Sequence, residues 1–158
     1  MEESIVVATE EDLSAIFALQ QRSFRLIVQN VAKEDPLPLW QTEEELRNDA
    51  RNYIILKYVS NGRIIGTVRG RLIENGNCYV SKLAVDPDQN NKGIGRKLME
   101  TVESYFPDCR GFELFTTVAT PNTCHLYKSL GYEITGISQD KLGVTLAYFS
   151  KRNHNLRK

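Results

Sequence analysis

Cysteine and histidine are scarce in these 158 residues, and their pattern excludes two classes of protein. The three cysteines, Cys78, Cys109 and Cys124, are odd in number and widely spaced, and there are only two histidines. No pair has zinc-ligand spacing, and an odd count argues against a disulfide framework. We therefore expect reduced thiols and no metal.

The sequence also has no excess of positive or negative charge. Lys and Arg together number 20, as do Asp and Glu, so no net charge draws the chain toward nucleic acid or an anionic membrane. The acidic residues 1–4 do not resemble a signal peptide, and no apolar run reaches the length of a transmembrane helix. We expect a cytoplasmic protein without a nucleic-acid or membrane partner.

The composition that remains is that of a globular protein, with 41% hydrophobic and 25% charged residues. This length fits one domain, which we expect over residues 1–150, followed by a short basic tail at 151–158.

The hydrophobic pattern predicts the order βααβββαβαββ, a mixed α+β domain. Thr9 with Asp12, and Thr42 with Glu45, are capping-box pairs that place the starts of the first two helices. The predicted strands are 4–8, 53–59, 63–74, 78–85, 112–118, 134–137 and 144–150, and the later helices are 94–106 and 122–130. Asn61-Gly62 and Asn75-Gly76 are typical of hairpin turns, so three central strands should form an antiparallel meander.

Two glycines, Gly93 and Gly95, stand where a polar loop meets a predicted helix. The first amides of a helix lack intrahelical partners and favour an anion, and Lys92, Arg96 and Lys97 add positive charge. The spacing fits neither a Walker loop nor the glycine pattern of a dinucleotide fold. From the glycines alone, a pyrophosphate site and a glycine-rich helix start without a ligand both remain open.

The longer segments resemble the GNAT superfamily of N-acetyltransferases. The resemblance lies in residues 82–87 (KLAVDP), 90–95 (NNKGIG) and 126–132 (LYKSLGY), with a similar opening at 7–13 (VATEEDL). It implies a mostly antiparallel twisted sheet of about seven strands flanked by about four helices. It also implies transfer of an acetyl group from acetyl-CoA, or another acyl-CoA, to a primary amine by direct attack in a ternary complex.

The resemblance implies cofactor contacts from three places. They are the strand residues Leu83, Ala84 and Val85, the loop residues Asn90, Asn91, Lys92, Gly93, Ile94, Gly95, Arg96 and Lys97, and Asn122. Asn90 stands where the family usually has Gln or Arg. For Asn122, a bond to its own helix backbone is an equally good reading.

Tyr127 is the catalytic residue that the resemblance implies, as the acid that protonates the departing thiolate; the alternative is a core aromatic. Many relatives place a basic Glu on the strand before the glycine loop, but residues 78–85 contain no carboxylate. Glu113 on the next strand is the candidate that remains; a paired or solvated strand residue is the more common role for such a Glu. A weakly catalytic acyl-CoA sensor is therefore the rival function.

The acceptor site should lie at about residues 22–52. The acidic residues there would suit a cationic amine, or they form a solvated helix face. They are Glu34, Asp35, Glu43, Glu44, Glu45 and Asp49. The acceptor could be a small molecule or a protein amine, and the enzyme a monomer or a homodimer.

Overall fold

A computed structural model describes residues 2–31, 41–89, 92–117, 121–139 and 145–154. In these ranges, one seven-stranded sheet carries four α-helices, which confirms the predicted fold class. The strands are β1 (Glu3–Val7), β2 (Ile54–Ser60), β3 (Arg63–Leu72), β4 (Cys78–Val85), β5 (Gly111–Thr117), β6 (Glu133–Gln139) and β7 (Thr145–Arg152). The helices are α1 (Leu13–Val31), α2 (Glu43–Asn52), α3 (Ile94–Ser104) and α4 (Pro121–Ser129).

The strands lie in the order β1-β2-β3-β4-β5-β7-β6. Every neighbouring pair is antiparallel except β4 and β5, which are parallel because α3 carries the chain back between them. The predicted meander of β2, β3 and β4 is confirmed. At its first turn Asn61 and Gly62 both have positive φ, 51° and 77°, as a two-residue hairpin turn of this kind requires.

Different helices cover the two faces of the sheet. Leu98, Met99 and Val102 of α3 belong to the larger core cluster, with residues of the central strands. α3 approaches the sheet closely at Gly66 of β3, where a Cβ would lie 2.8 Å from Leu98 Cδ1. On the other face, Leu13 and Ile16 of α1 and Leu46 of α2 pack around Ile55. This packing fixes the start of α3 beside the end of β4.

The capping boxes start the first two helical segments as predicted. The Thr9 amide donates to Asp12 Oδ2 at 2.8 Å, and the Glu45 amide donates to Thr42 Oγ1 at 3.1 Å. At the first of these starts the chain forms a short 3-10 turn, Glu10–Asp12, before α1 begins.

β7 runs two residues past the predicted end of the last strand, residue 150. Lys151 and Arg152 belong to β7, where Lys151 Nζ contacts Glu103 Oε1 at 2.6 Å. Asn153 is buried and its Nδ2 donates to the carbonyl oxygens of Pro107 and Cys109. These contacts attach to the domain three residues that were predicted to be tail, and residues 155–158 lie outside the described residues.

Gly111 lets β5 lie tightly against β7, because a Cβ there would come within 2.6 Å of the Lys151 carbonyl oxygen. We expect Gly111→Ala to lower the free energy of unfolding by about 1–3 kcal/mol, the usual cost of overpacking. The control is Gly136→Ala on β6, where the nearest atom is 4.0 Å away. Urea unfolding of both variants tests this; equal stabilities would contradict the close approach.

Candidate active site

A gap opens in the middle of the sheet. β4 pairs with β5 only at Cys78–Phe112 and Tyr79–Glu113 in the described residues, whereas its pairing with β3 continues as far as Val85. From Val80 onward, the side of β4 that faces β5 therefore has backbone donors and acceptors without a strand partner. Leu83, Ala84 and Val85, the predicted strand contacts of the cofactor, lie in this stretch.

A β-bulge in β4 accompanies the gap. The register with β3 shifts by one residue between Ser81 and Ala84, and Lys82 has a φ of 56°. Positive φ is uncommon for a residue with a side chain, and a bulge bends its strand and increases its twist. Sequence reasoning missed this bulge because no glycine marks it.

The N-terminus of α3 lies next to the gap. Gly93 precedes the helix with a φ of 76°, and the first helical bond runs from the Lys97 amide to the Gly93 carbonyl at 3.1 Å. The amides just before Lys97 therefore have no intrahelical acceptor. A Cβ on Gly95 would lie 3.2 Å from Leu126 Cδ2, so glycine allows α4 to pack closely here.

These residues fit a pyrophosphate group. Free helix amides and the helix dipole attract an anion, and Lys92, Arg96 and Lys97 are exposed beside them. Lys92 Nζ donates to Gln89 Oε1 at 3.1 Å, which holds the lysine near the loop. Asn90 and Asn91 lie outside the described residues, and so does the side chain of Asn122, whose backbone is in the first turn of α4.

Tyr127 is buried on α4, with 6% of its surface exposed. Its ring lies between Tyr132 and Phe149, with centroid distances of 6.0 and 5.6 Å. Burial raises the pKa of Tyr127 well above its usual value, so the phenol stays protonated at neutral pH. In the described part of the chain its hydroxyl has no hydrogen-bond partner, which leaves its proton available to a ligand.

Glu113 lies at the closed end of the gap. It is opposite Tyr79, and its Oε2 accepts from Asn77 Nδ2 at 2.9 Å and from Asn75 Nδ2 at 3.2 Å. The structure therefore gives the predicted base two amide partners, at the last place where β4 and β5 still pair. It does not bring Glu113 to the unpaired stretch of β4.

The three cysteines are poor nucleophiles. Burial raises the pKa of Cys78 to about 12, and burial also raises the pKa of Cys109 and of Cys124. Because the thiolate is the reactive form, these thiols are inert at neutral pH. Among the residues described, no group of three or more His, Cys, Asp or Glu side chains could hold a metal ion.

The predicted acceptor region contains a buried arginine that sequence reasoning missed. Arg69 of β3 is fully buried, and its Nη1 donates to Asp49 Oδ2 at 2.9 Å and to Gln41 Oε1 at 3.2 Å. Its Nη2 donates to Gln20 of α1. No local pattern in the sequence marks it, since Arg63 and Arg71 stand on the same strand. The Asp49 carboxylate is therefore ion-paired with Arg69, and it is not an unpaired acidic group in the predicted acceptor site.

Glu45 is also committed, since it accepts from the Thr42 amide at 3.0 Å as part of the helix cap. Glu34, Asp35 and Trp40 lie outside the described residues. None of the helices in the described ranges has the length and apolarity needed to cross a membrane.

Comparison with known proteins agrees with this architecture. The sequence profile of the Acetyltransferase (GNAT) family matches residues 13–132. The fold is similar to the PaiA N-acetyltransferase of Thermoplasma acidophilum, crystallised with coenzyme A, with a TM-score of 0.81, 16% identity and coverage of 96% of this chain and 99% of that one. The ribosomal-protein-S18-alanine N-acetyltransferase of Escherichia coli gives a TM-score of 0.79, 18% identity and coverage of 99% and 100%.

Ard1 of Thermoplasma volcanium has a TM-score of 0.82, 15% identity and full coverage of both chains. At these identities the similarity shows the fold alone. The family profile matches well over half of the chain, so this match bears on family membership as well as on the fold.

Proposed function

The chain belongs to the acetyltransferase (GNAT) family, and from this premise we propose that it transfers an acetyl group from acetyl-CoA to a primary amine. The observation that carries the proposal is the gap between β4 and β5 beside the N-terminus of α3. The gap supplies unpaired backbone for an amide-containing arm, and the helix start supplies an anion site. Pantetheine and pyrophosphate, covalently joined, need these two features side by side.

Each part of the site has a separate task in binding. The backbone of Leu83, Ala84 and Val85 hydrogen-bonds the amide groups of the pantetheine arm, as a strand would. The free amides at the start of α3 bind the pyrophosphate, with support from Lys92 and Lys97. Asn122 contributes a further polar contact from α4.

Tyr127 acts as the general acid. The amine nitrogen forms a bond to the acetyl carbon while the carbon–sulfur bond breaks, and Tyr127 donates its proton to the leaving sulfur. Its burial keeps that proton in place at neutral pH. The inert thiols support direct attack by the amine over an acyl-enzyme on cysteine.

The attacking amine must give up a proton, and β4 offers no carboxylate to accept it. Because Glu113 lies at the closed end of the gap, we assign the proton to water. Orientation of the two bound reactants then supplies most of the rate enhancement.

Acetyl-CoA should raise the thermal unfolding midpoint, whereas NAD and ATP serve as controls. A ligand at about a hundredfold excess over its Kd stabilises the folded state by about 2.7 kcal/mol. For a domain of about 150 residues, this corresponds to a shift of several degrees. The absence of a shift with acetyl-CoA, or equal shifts with all three ligands, would overturn the proposal.

The absence of a carboxylate from the gap favours one rival function, an acyl-CoA sensor without turnover. Release of CoA in the presence of a panel of amines distinguishes the two. A sensor shows the thermal shift but releases no CoA above the rate without amine.

A further inference from the structure

The ammonium of Lys82 lies on the face of the sheet covered by α1 and α2, with no carboxylate in ion-pair contact among the described residues. It stands at the bulge of β4, partly buried, with its Nζ 5.9 Å from the ring centroid of Phe24 on α1. Within the described residues, its ammonium has no hydrogen bond and no ion pair. An ammonium taken partly out of water without a partner is unfavourable, so a ligand of opposite charge would be stabilised here.

The nearby carboxylates of Asp49 and Glu45 form their hydrogen bonds with groups other than the Lys82 ammonium. Asp49 Oδ2 accepts from Arg69 Nη1 at 2.9 Å and from Gln41 Nε2 at 2.7 Å. Glu45 accepts from the backbone at the start of α2. Burial, followed by the charge of Arg69, lowers the pKa of Lys82, although Asp49 and Glu45 act to raise it. These charges balance in number, but within the described residues neither carboxylate bonds the Lys82 ammonium directly, so its N–H donors can bond a ligand.

Arg69 also has a donor without an acceptor. It is fully buried, and its Nε has no hydrogen-bond partner although Nη1 and Nη2 are both bonded. Two cationic side chains, Arg69 and Lys82, thus lie on one face of the sheet near two carboxylates, Asp49 and Glu45, which are each bonded to other groups.

We propose that Lys82 binds a carboxylate of the acceptor, and that the acceptor is a small amino acid, with its amine close to that carboxylate. The proposal rests on the proposed function above. Lys82 immediately precedes Leu83, the first residue assigned to the pantetheine arm, so a carboxylate held at Lys82 brings its amine to the gap. A polyamine or a protein lysine has no carboxylate beside its amine and would leave Lys82 unpaired.

Matched pairs of acceptors test this proposal. Tryptophan and tryptamine, arginine and agmatine, and histidine and histamine differ within each pair only by the carboxylate. We expect the wild type to favour the amino acid in at least one pair, by about tenfold or more in kcat/KM, as for a hydrogen bond to a charged group. Lys82→Met should abolish that preference through a higher KM for the amino acid and leave the rate with the decarboxylated amine unchanged.

Two further variants control the test. Lys82→Arg keeps the charge and should retain part of the preference. Lys128→Met removes an exposed lysine of α4 and should leave the preference intact. An equal shift of the unfolding midpoint by acetyl-CoA in Lys82→Met and the wild type shows that the variant is folded and binds the cofactor.

Three outcomes would overturn the carboxylate proposal: a preference for decarboxylated amines, a preference that survives in Lys82→Met, and no acetylation of any amino acid in the panel. The thermal shift separates this failure from that of the proposed function. If acetyl-CoA stabilises the chain and other amines are acetylated, only the carboxylate proposal fails. If acetyl-CoA gives no shift, the proposed function fails with it.

Discussion

Replacement of Tyr127 by phenylalanine is expected to lower kcat by about a hundredfold to ten-thousandfold, the usual contribution of a general acid. Phenylalanine occupies the same volume between Tyr132 and Phe149, so the packing of α4 is preserved. The hydroxyl that it removes makes no hydrogen bond in the described structure. Steady-state release of CoA measures the effect.

Binding of acetyl-CoA by Tyr127→Phe should change little, as judged by the shift in the unfolding midpoint. Tyr105→Phe is the control, because Tyr105 follows the end of α3 and is 39% exposed. An unchanged kcat in Tyr127→Phe would remove the role assigned to Tyr127. A lost thermal shift would make it a binding residue instead.

The pH dependence of kcat follows from the same residue. A general acid must be protonated, so a raised pKa moves the loss of activity toward higher pH. An ordinary tyrosine titrates at about pH 10, and burial puts the pKa of Tyr127 above that value. We expect kcat to rise as the amine loses its proton and to show no decline up to about pH 10. A decline that begins near neutrality would contradict the assignment.

Asp49→Ala is expected to lower the free energy of unfolding by about 3 kcal/mol, because it leaves a buried charge without its partner. Arg69 has no exposed surface, and Asp49 is the carboxylate within ion-pair distance of it. The substitution also removes the acceptor of the hydrogen bond from Gln41 Nε2. Urea unfolding at neutral pH measures the change.

Asn48→Ala is the matched control, since Asn48 is exposed on the same helix and its substitution should change stability by less than about 0.5 kcal/mol. The double variant Arg69→Met, Asp49→Ala should recover part of the loss, because it removes both charges. If Asp49→Ala proves as stable as Asn48→Ala, Arg69 does not depend on this carboxylate.

The elements that the sequence predicts well are those with local causes. The Thr42–Glu45 capping box and the Asn61-Gly62 turn are each complete within four residues, and both appear as expected. The turns Asn61-Gly62 and Asn75-Gly76 similarly predict the pairing of β2, β3 and β4, because short turns leave few other partners. The last two residues of β7, beyond the predicted strand end at residue 150, have no such local mark, and Lys151 there contacts the distant Glu103.

The parts of the site that escaped prediction have non-local causes. The glycines at the start of α3, Gly93 and Gly95, were found because a glycine pattern at a helix start can be read from the local sequence. The bulge at Lys82 and the burial of Arg69 depend on strands and helices far along the chain, so no local pattern marks them. The position of Glu113 at the closed end of the gap likewise follows from the pairing of β4 with β5. The roles of Tyr127 and of the cofactor contacts remain predictions.

The narrow junction between β4 and β5 has a consequence for how this domain holds together. Within the described residues, two ladder pairs and the nearby bond from the Arg110 amide to the Gly76 carbonyl join the backbone of β1–β4 to that of β5–β7. Cooperative unfolding requires contacts that cross such a seam. Here that task falls to side chains, chiefly Val80, Leu114 and Phe149 in the core beneath α3. The ladder of hydrogen bonds is long on either side of the seam and short across it. The apolar core therefore supplies most of the contacts that join the two halves of the sheet.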